Sequence, residues 1–201
     1  MSIHTEFLDA LTPSAIRAIT ARIRDKKRDG IRIVNFAGGM PDEATFPAEV
    51  FAQITADIIR EEGGSALQYA ASDGYDPLRK TIAGLMQRFQ VCTDYQSIMI
   101  TCGLQQALSY LSRALLQPGD VVLCENPSYV GALDTFRTQK AQVIGVEMDQ
   151  DGMRLDHLEE LLRKHHPRFI YSIPDFQNPT GRSMSQSRRK RLVELAETYD
   201  T

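Results

Sequence analysis

No two cysteines in this sequence are spaced as a CxxC pair. The three present, Cys92, Cys102 and Cys124, lie in or beside apolar runs. They are expected to be reduced thiols in the core of a cytoplasmic protein. The chain also lacks HExxH and any Cys/His cluster, so no metal centre is expected. GxGxxG is missing, which removes the dinucleotide fingerprint, and GxxxxGK(S/T) is missing, which removes the P-loop. There is no excess of positive charge. Lys and Arg number 23 against 26 Asp and Glu, a net charge of -3, so a nucleic-acid partner is not expected. No apolar run is long enough to span a membrane. The opening MSIHTEFLDALTPS has no charged segment followed by an apolar one, so no secretory leader is expected. Internal repeats and low-complexity linkers are absent as well.

What remains is an ordinary globular composition, 42% hydrophobic and 24% charged over 201 residues, enough for one substantial core or for one domain and part of another. LTPSAIRAITARIRDKKRDG reads as a first helix, with Thr12 as cap, Pro13 in the first turn and Gly30 as terminator. IRIVNFAGGMPDEATFP is a loop placed to face a ligand. Helices are expected from Pro47 to the pair Gly63-Gly64 and from Pro77 onward, with ALQYAASDGYD irregular between them. From Gln96 the rhythm changes. SIMIT, VVLCE, AQVIGVEM and RFIYSIP read as strands, and amphipathic helices alternate with them. That alternation predicts an α/β fold built on a mostly parallel sheet flanked by helices. The last helix is expected to run straight into Thr201 with no cap and no closing strand. A sheet built by right-handed crossovers is therefore expected to be incomplete at this point.

Three loops carry chemistry. In ITCGLQQAL, Gly103 turns the chain into a helix beginning at Leu104 or Gln105. Free N–H groups at such a start favour an anion, typically phosphate, and Gln105 can add an amide; the alternative is a plain turn. In CENPSYVGAL, Tyr129 opens a helix at the C-terminal edge of the sheet. Ligands of open α/β sheets collect at that edge, where a tyrosine can stack on a flat ring or simply pack on a neighbouring loop. In IYSIPDFQNPTGRSMS, Pro174 ends a strand and Pro179 keeps Asn178 out of helical geometry. Asn178 then aims its amide above the sheet edge, or closes an Asx-turn. A phosphate cup, a flat aromatic and a fixed amide donor at one edge suit a planar phosphorylated cofactor.

Other patterns read as local structure. Ser187 to Lys190 fits S-x-x-K but lies in an arginine-rich helix start with no companion motif. The basic run Arg182 to Arg191 reads as a solvated helix face. Asp149-Gln150-Asp151-Gly152 reads as a turn rather than a calcium loop, and His165-His166 suits the end of a helix.

The segments PSAIRAI, FAGGMPDEATFP, LQYAASDGYDPLR, ITCGLQQAL, QPGDVVLCENPSY and PDFQNPTG follow one another from about Pro13 to the last residue. In that order they resemble the pyridoxal-phosphate aminotransferases of fold type I, class I/II. The wording is most similar to the branch that handles 2-aminoadipate, kynurenine and a broad range of amino acids. The resemblance implies an incomplete large domain of the fold-type I transferases over 46–201, preceded by an N-terminal helix and arm over 1–45. It implies pyridoxal 5'-phosphate as cofactor, an amino acid and a 2-oxo acid as substrates, and a homodimer. By motif position, Gly103, Leu104 and Gln105 match the phosphate cup, Tyr129 the aromatic stacked on the pyridine ring, and Asn178 the donor to the ring's phenolic oxygen. Tyr69 matches the tyrosine that reaches the phosphate of the neighbouring subunit, and Gly39 lies in the loop that closes on the substrate carboxylate. Asn126-Pro127 and Asn178-Pro179 match places where the family often has cis bonds. Leu104 departs from the family's small or hydroxyl residue, which removes one hydrogen bond, worth about 1 kcal/mol.

The resemblance also places the Schiff-base lysine, the aspartate on the pyridine nitrogen and the carboxylate-binding arginine beyond Thr201. None of Lys26, Lys27, Lys80, Lys140, Lys164 and Lys190 stands at the catalytic position. The 201 residues alone are therefore expected to be inactive in amino-group transfer. The other reading is a non-catalytic remnant that binds the cofactor weakly or pairs with an intact relative. Regulators with an aminotransferase-like domain carry a winged helix ahead of it, for which the stretch before Pro13 is too short.

Overall fold

The computed structural model describes residues 15–34 and 39–201. Among the described residues two compact units emerge, one up to Ile100 and one from Thr101 to Thr201. The expected cap Thr12 and Pro13 lie outside the described residues.

The unit up to Ile100 is helical. Helix α1 spans Ala15–Arg28, α2 Ala48–Glu62 and α3 Asp76–Gln87. Gly30 follows α1 at φ 77°, and Gly63 closes α2 at φ 55°, both in the glycine-favoured region. Among the described residues of this unit only Arg79 is buried. Its guanidinium donates to the carbonyls of Ile98 (2.8 Å), Tyr95 (3.2 Å) and Gln96 (3.3 Å). It also pairs with Asp73 and Asp76 and lies over the Tyr95 ring. SIMIT is not a strand. Tyr95–Ser97 is a 3-10 turn capped by Asp94, and the extended residues after it join no ladder. Arg79 takes up the carbonyls there, and the Ile100 N–H donates to Asp73 O at 2.9 Å. Gly74, at φ 113°, passes so close that a Cβ would sit 2.4 Å from the Ile100 side chain.

The unit from Thr101 is a layered α/β structure. Helix α4 spans Leu104–Leu115, β1 Val121–Asn126, α5 Val130–Thr138, β2 Gln142–Asp149 and β3 Gly152–Met153. Helix α6 spans Leu155–His165, β4 Phe169–Tyr171 and α7 Gln186–Thr198. The sheet order is β3-β2-β1-β4. β1 runs parallel to β2, with Cys124 opposite Gly145, and parallel to β4, with Leu123 opposite Ile170. The strand β3 was not foreseen. It pairs antiparallel to β2 because Asp149 to Gly152 folds as a tight turn, with the Asp151 N–H on the Asp149 carboxylate at 2.8 Å.

β1 is buried along its middle because helices cover both faces, and its successive side chains feed two cores. On one face Val122 packs with Leu108 and Leu116, with Ala132 and Phe136 of α5, and with Phe169 and Tyr171. Phe136 meets both of those β4 rings edge to face, at 5.5 and 5.4 Å. On the other face Leu123 packs with Val146, with Leu158, Leu161 and Leu162 of α6, and with Leu195 of α7. The i, i+3, i+4 spacing of those α6 leucines puts them on one stripe. Each fully buried leucine contributes roughly 1.5–3 kcal/mol.

Three expectations change here. Only Cys124 is buried, while Cys92 follows α3 on the surface and Cys102 stands in the exposed turn before α4. The basic run is not a bare solvated face. Arg188 pairs with Asp149, Arg189 with Asp175 and Arg191 with Glu194, so the run ties α7 to the β2–β3 hairpin and to the loop after β4. Finally, α7 does not run into Thr201. It ends at Thr198, and the Thr201 hydroxyl donates to Pro167 O.

Candidate cofactor site

The site grows from the C-terminal ends of β1 and β4 and from the N-terminus of α4. Gly103 precedes α4 at φ 80°, ψ 172°, with no side-chain cap on the helix. A Cβ at Gly103 would meet nothing within 4 Å, so the turn into α4 is open on that side. Gln105 Nε2 donates to Thr135 Oγ1 at 2.6 Å and to Gly131 O at 3.1 Å. Its side chain thus holds the start of α4 beside the start of α5. Leu104 is exposed.

β1 ends at Asn126, and Tyr129 is the residue before α5. The Tyr129 ring lies across the first turn of that helix. A Cβ on Gly131 would fall 2.6 Å from the tyrosine hydroxyl, so only glycine admits the ring there. Tyr129 is half-buried against the Val122 and Phe136 core. The bonds Asn126-Pro127 and Asn178-Pro179 are both cis, as the resemblance implied.

Asn178 is exposed on the loop after β4. Its neighbour Gln177 is buried and spans the space between the two Asn-Pro turns. Gln177 Nε2 donates to Pro127 O at 2.9 Å, and its Oε1 accepts from the Thr180 hydroxyl (2.7 Å) and N–H (3.0 Å). Beneath it, the buried Glu125 carboxylate accepts from Ser172 Oγ at 2.6 Å and from the Ile173 N–H at 3.0 Å. Sequence reasoning missed both Glu125 and Gln177. The available signal was a lone acidic residue at the end of the otherwise apolar VVLCE.

Burial pushes the Cys124 thiol up to about 11, with the Glu125 carboxylate adding to the effect. Cys124 is therefore a core side chain and no nucleophile. Tyr171 is also raised, by burial first and then by Glu125, Tyr129 and Cys124. Among the described residues no group of three His, Cys, Asp or Glu is placed to hold a metal ion, and no helix is long and apolar enough to cross a membrane.

Gly103, Leu104, Gln105, Tyr129 and Asn178 thus sit in one unit, on three loops joined by side-chain hydrogen bonds. Gly39 and Tyr69 belong to the other unit. There, Gly39 is exposed with open space around it, and Tyr69 is 100% exposed.

An α/β sheet with loops of this kind at its strand ends defines the class, and comparison with known proteins supplies the family. A family model described as aminotransferase class I and II matches residues 31–201. The 2-aminoadipate transaminase of Thermus thermophilus is 41% identical over 180 residues, which cover 90% of this chain and 44% of that protein. The aromatic-amino-acid aminotransferase 1 of Thermococcus litoralis is 38% identical over 174 residues, 84% of this chain and 42% of that protein. A solved structure of the alpha-aminoadipate aminotransferase LysN from Thermus thermophilus, complexed with N-(5'-phosphopyridoxyl)-L-leucine, matches with a TM-score of 0.86 at 36% identity. That match covers 98% of this chain and 47% of the other. The chain belongs to the class I and II aminotransferase family. It spans less than half the length of these relatives.

Proposed function

We propose that this chain is the cofactor-binding part of an aminotransferase that moves an amino group from an amino acid to a 2-oxo acid with pyridoxal 5'-phosphate. The observation that carries this reading is the junction of three loops. Gln105 joins the α4 start to α5, and Gln177 joins the Tyr129 turn to the Asn178 turn. Family membership gives the junction its chemistry.

The residues fit the cofactor. The N–H groups after Gly103, at Leu104 and Gln105, take the phosphate, where the dipole of α4 favours negative charge. The Tyr129 ring would hold the pyridine ring by stacking. The Asn178 amide donates to the phenolic oxygen and stabilises its anionic form. In the full assembly, Tyr69 reaches the phosphate held by a second copy, and the Gly39 loop closes on the substrate carboxylate. Pyridoxal phosphate supplies the electron sink for amino-group transfer, and the protein supplies binding and orientation.

In this reading residues 1–45 form the N-terminal helix and arm, 46–201 are part of the large domain, and the protein is a cytoplasmic homodimer. The lysine that carries catalysis lies beyond Thr201, so residues 1–201 alone do not transfer amino groups.

The test is a titration with pyridoxal phosphate followed by visible absorption, paired with an assay of amino transfer from 2-aminoadipate and aromatic amino acids. The protein at its natural length is expected to bind the cofactor and transfer the amino group, and residues 1–201 to transfer none. Failure of the natural-length protein to bind pyridoxal phosphate would end the reading.

A further inference from the structure

Glu125 is a carboxylate inside a sheet, 1% exposed, in a strand whose other inner residues are apolar. Burying such a group is costly unless hydrogen bonds surround it. It has them, and all come from the segment after β4. Ser172 Oγ donates to Oε1, and the Ile173 N–H lies 3.0 and 3.1 Å from the two oxygens. Gln177 Nε2 stands 3.5 Å from Oε2 while it donates to Pro127 O at 2.9 Å. Every partner is a donor. The polarity of Gln177 is thereby fixed: its NH2 faces Glu125 and Pro127, and its oxygen faces Thr180.

The chain of bonds runs from the end of β1, through the loop after β4, to the carbonyl just before Ser128 and Tyr129. Both residues expected to grip the cofactor ring stand next to it, Asn178 beside Gln177 and Tyr129 two residues after Pro127. An apolar pair at 125 and 177 would also fill the space. It would not dictate which way the 177–180 turn faces, because only directional bonds set that.

We infer that Glu125, acting through Gln177, is a positioning residue that locks the Asn178 turn against the Tyr129 turn and so sets the amide and the ring at one spacing for a planar cofactor. This rests on the functional reading above. Glu125 and Gln177 are 1% and 2% exposed, so neither side chain offers a surface to a ligand.

Glu125→Gln has nearly the same shape but places an NH2 among donors. The resulting conflict either turns the Gln177 amide, with loss of the Pro127 and Thr180 bonds, or strands the Ile173 N–H. In the protein at its natural length, Glu125→Gln is expected to keep its far-ultraviolet circular dichroism and to bind pyridoxal phosphate about tenfold more weakly, as for the loss of one hydrogen bond to a charged group. The pH at which the bound ring's phenolic oxygen titrates, followed by visible absorption, is expected to rise, because a displaced Asn178 no longer favours the anion. Ser172→Ala removes one donor and is expected to shift both readouts in the same direction by a smaller step.

Wild-type affinity and an unchanged titration in Glu125→Gln would overturn the inference and leave the functional reading intact. If Glu125→Gln does not fold, unchanged values in Ser172→Ala overturn it equally. A wild-type protein that binds no pyridoxal phosphate would overturn both.

Discussion

The two compact units use opposite means. Every buried apolar side chain among the described residues belongs to the unit from Thr101, from Leu108 to Leu195. Among the described residues of the unit up to Ile100 the one buried side chain is a charged one, Arg79, while Phe51, Ile54 and Ile58 line an exposed stripe of α2. One unit is held by a core on each face of a sheet. The other has one buried arginine that collects carbonyls and carboxylates around α3. The proposed cofactor loops Gly103–Gln105, Tyr129 and Asn178 lie on the first kind of scaffold, where packing fixes loop ends. Gly39 and Tyr69 lie on the second.

Core truncation should separate the units most. Leu158→Ala empties part of the α6 stripe and is expected to cost about 2–5 kcal/mol, whereas Phe51→Ala on α2 should stay within about 0.5 kcal/mol. Urea unfolding of both variants checks the pair, and equal losses would erase the contrast between the units. Arg79→Ala comes next. It strands the carbonyls of Tyr95, Gln96 and Ile98 and is expected to cost about 1–3 kcal/mol. The loss should appear as faster amide exchange at Ile98 and Ile100 and none in β1. Faster exchange in β1 would mean that the units share one cooperative structure.

The smallest effect is electrostatic. The Arg188 guanidinium, hydrogen-bonded to Asp149, holds that carboxyl below its usual range. A carboxyl whose folded value lies below its unfolded value, about 3.9, stabilises above that value. The contribution is lost as pH falls through the lower folded value. Because Asp149 is 45% exposed, the pair contributes at most about 1 kcal/mol. Exchange at Gly152 and Met153 should rise below about pH 4, and Arg188→Met should remove that step.

Much of this was legible from local signals. The helix starts and stops follow from Pro47, Gly63, Pro77 and Gly103, and β1, β2 and β4 follow from short apolar runs between amphipathic helices. The family resemblance rested on motifs spread along the chain, and the family match confirms it. SIMIT was misread because an apolar run of that length can be a strand or an unpaired extended segment. Arg79, distant in sequence, takes the carbonyls that a ladder would use. The strand β3 was missed because two residues carry no periodicity.

The sequence by itself determined most element types, the parallel βα rhythm and the family, because capping, turn chemistry and hydrophobic period act over a few neighbouring residues. Tertiary structure alone decided the pairing order β3-β2-β1-β4, the commitment of Gln105 to Thr135, the ion pairs of the basic run, and the burial of Glu125 under Gln177. The Gln105, Arg188 and Gln177 bonds among them join residues 30, 39 and 52 positions apart. No local pattern encodes such a bond; it exists only once the layers have packed and brought the partners together.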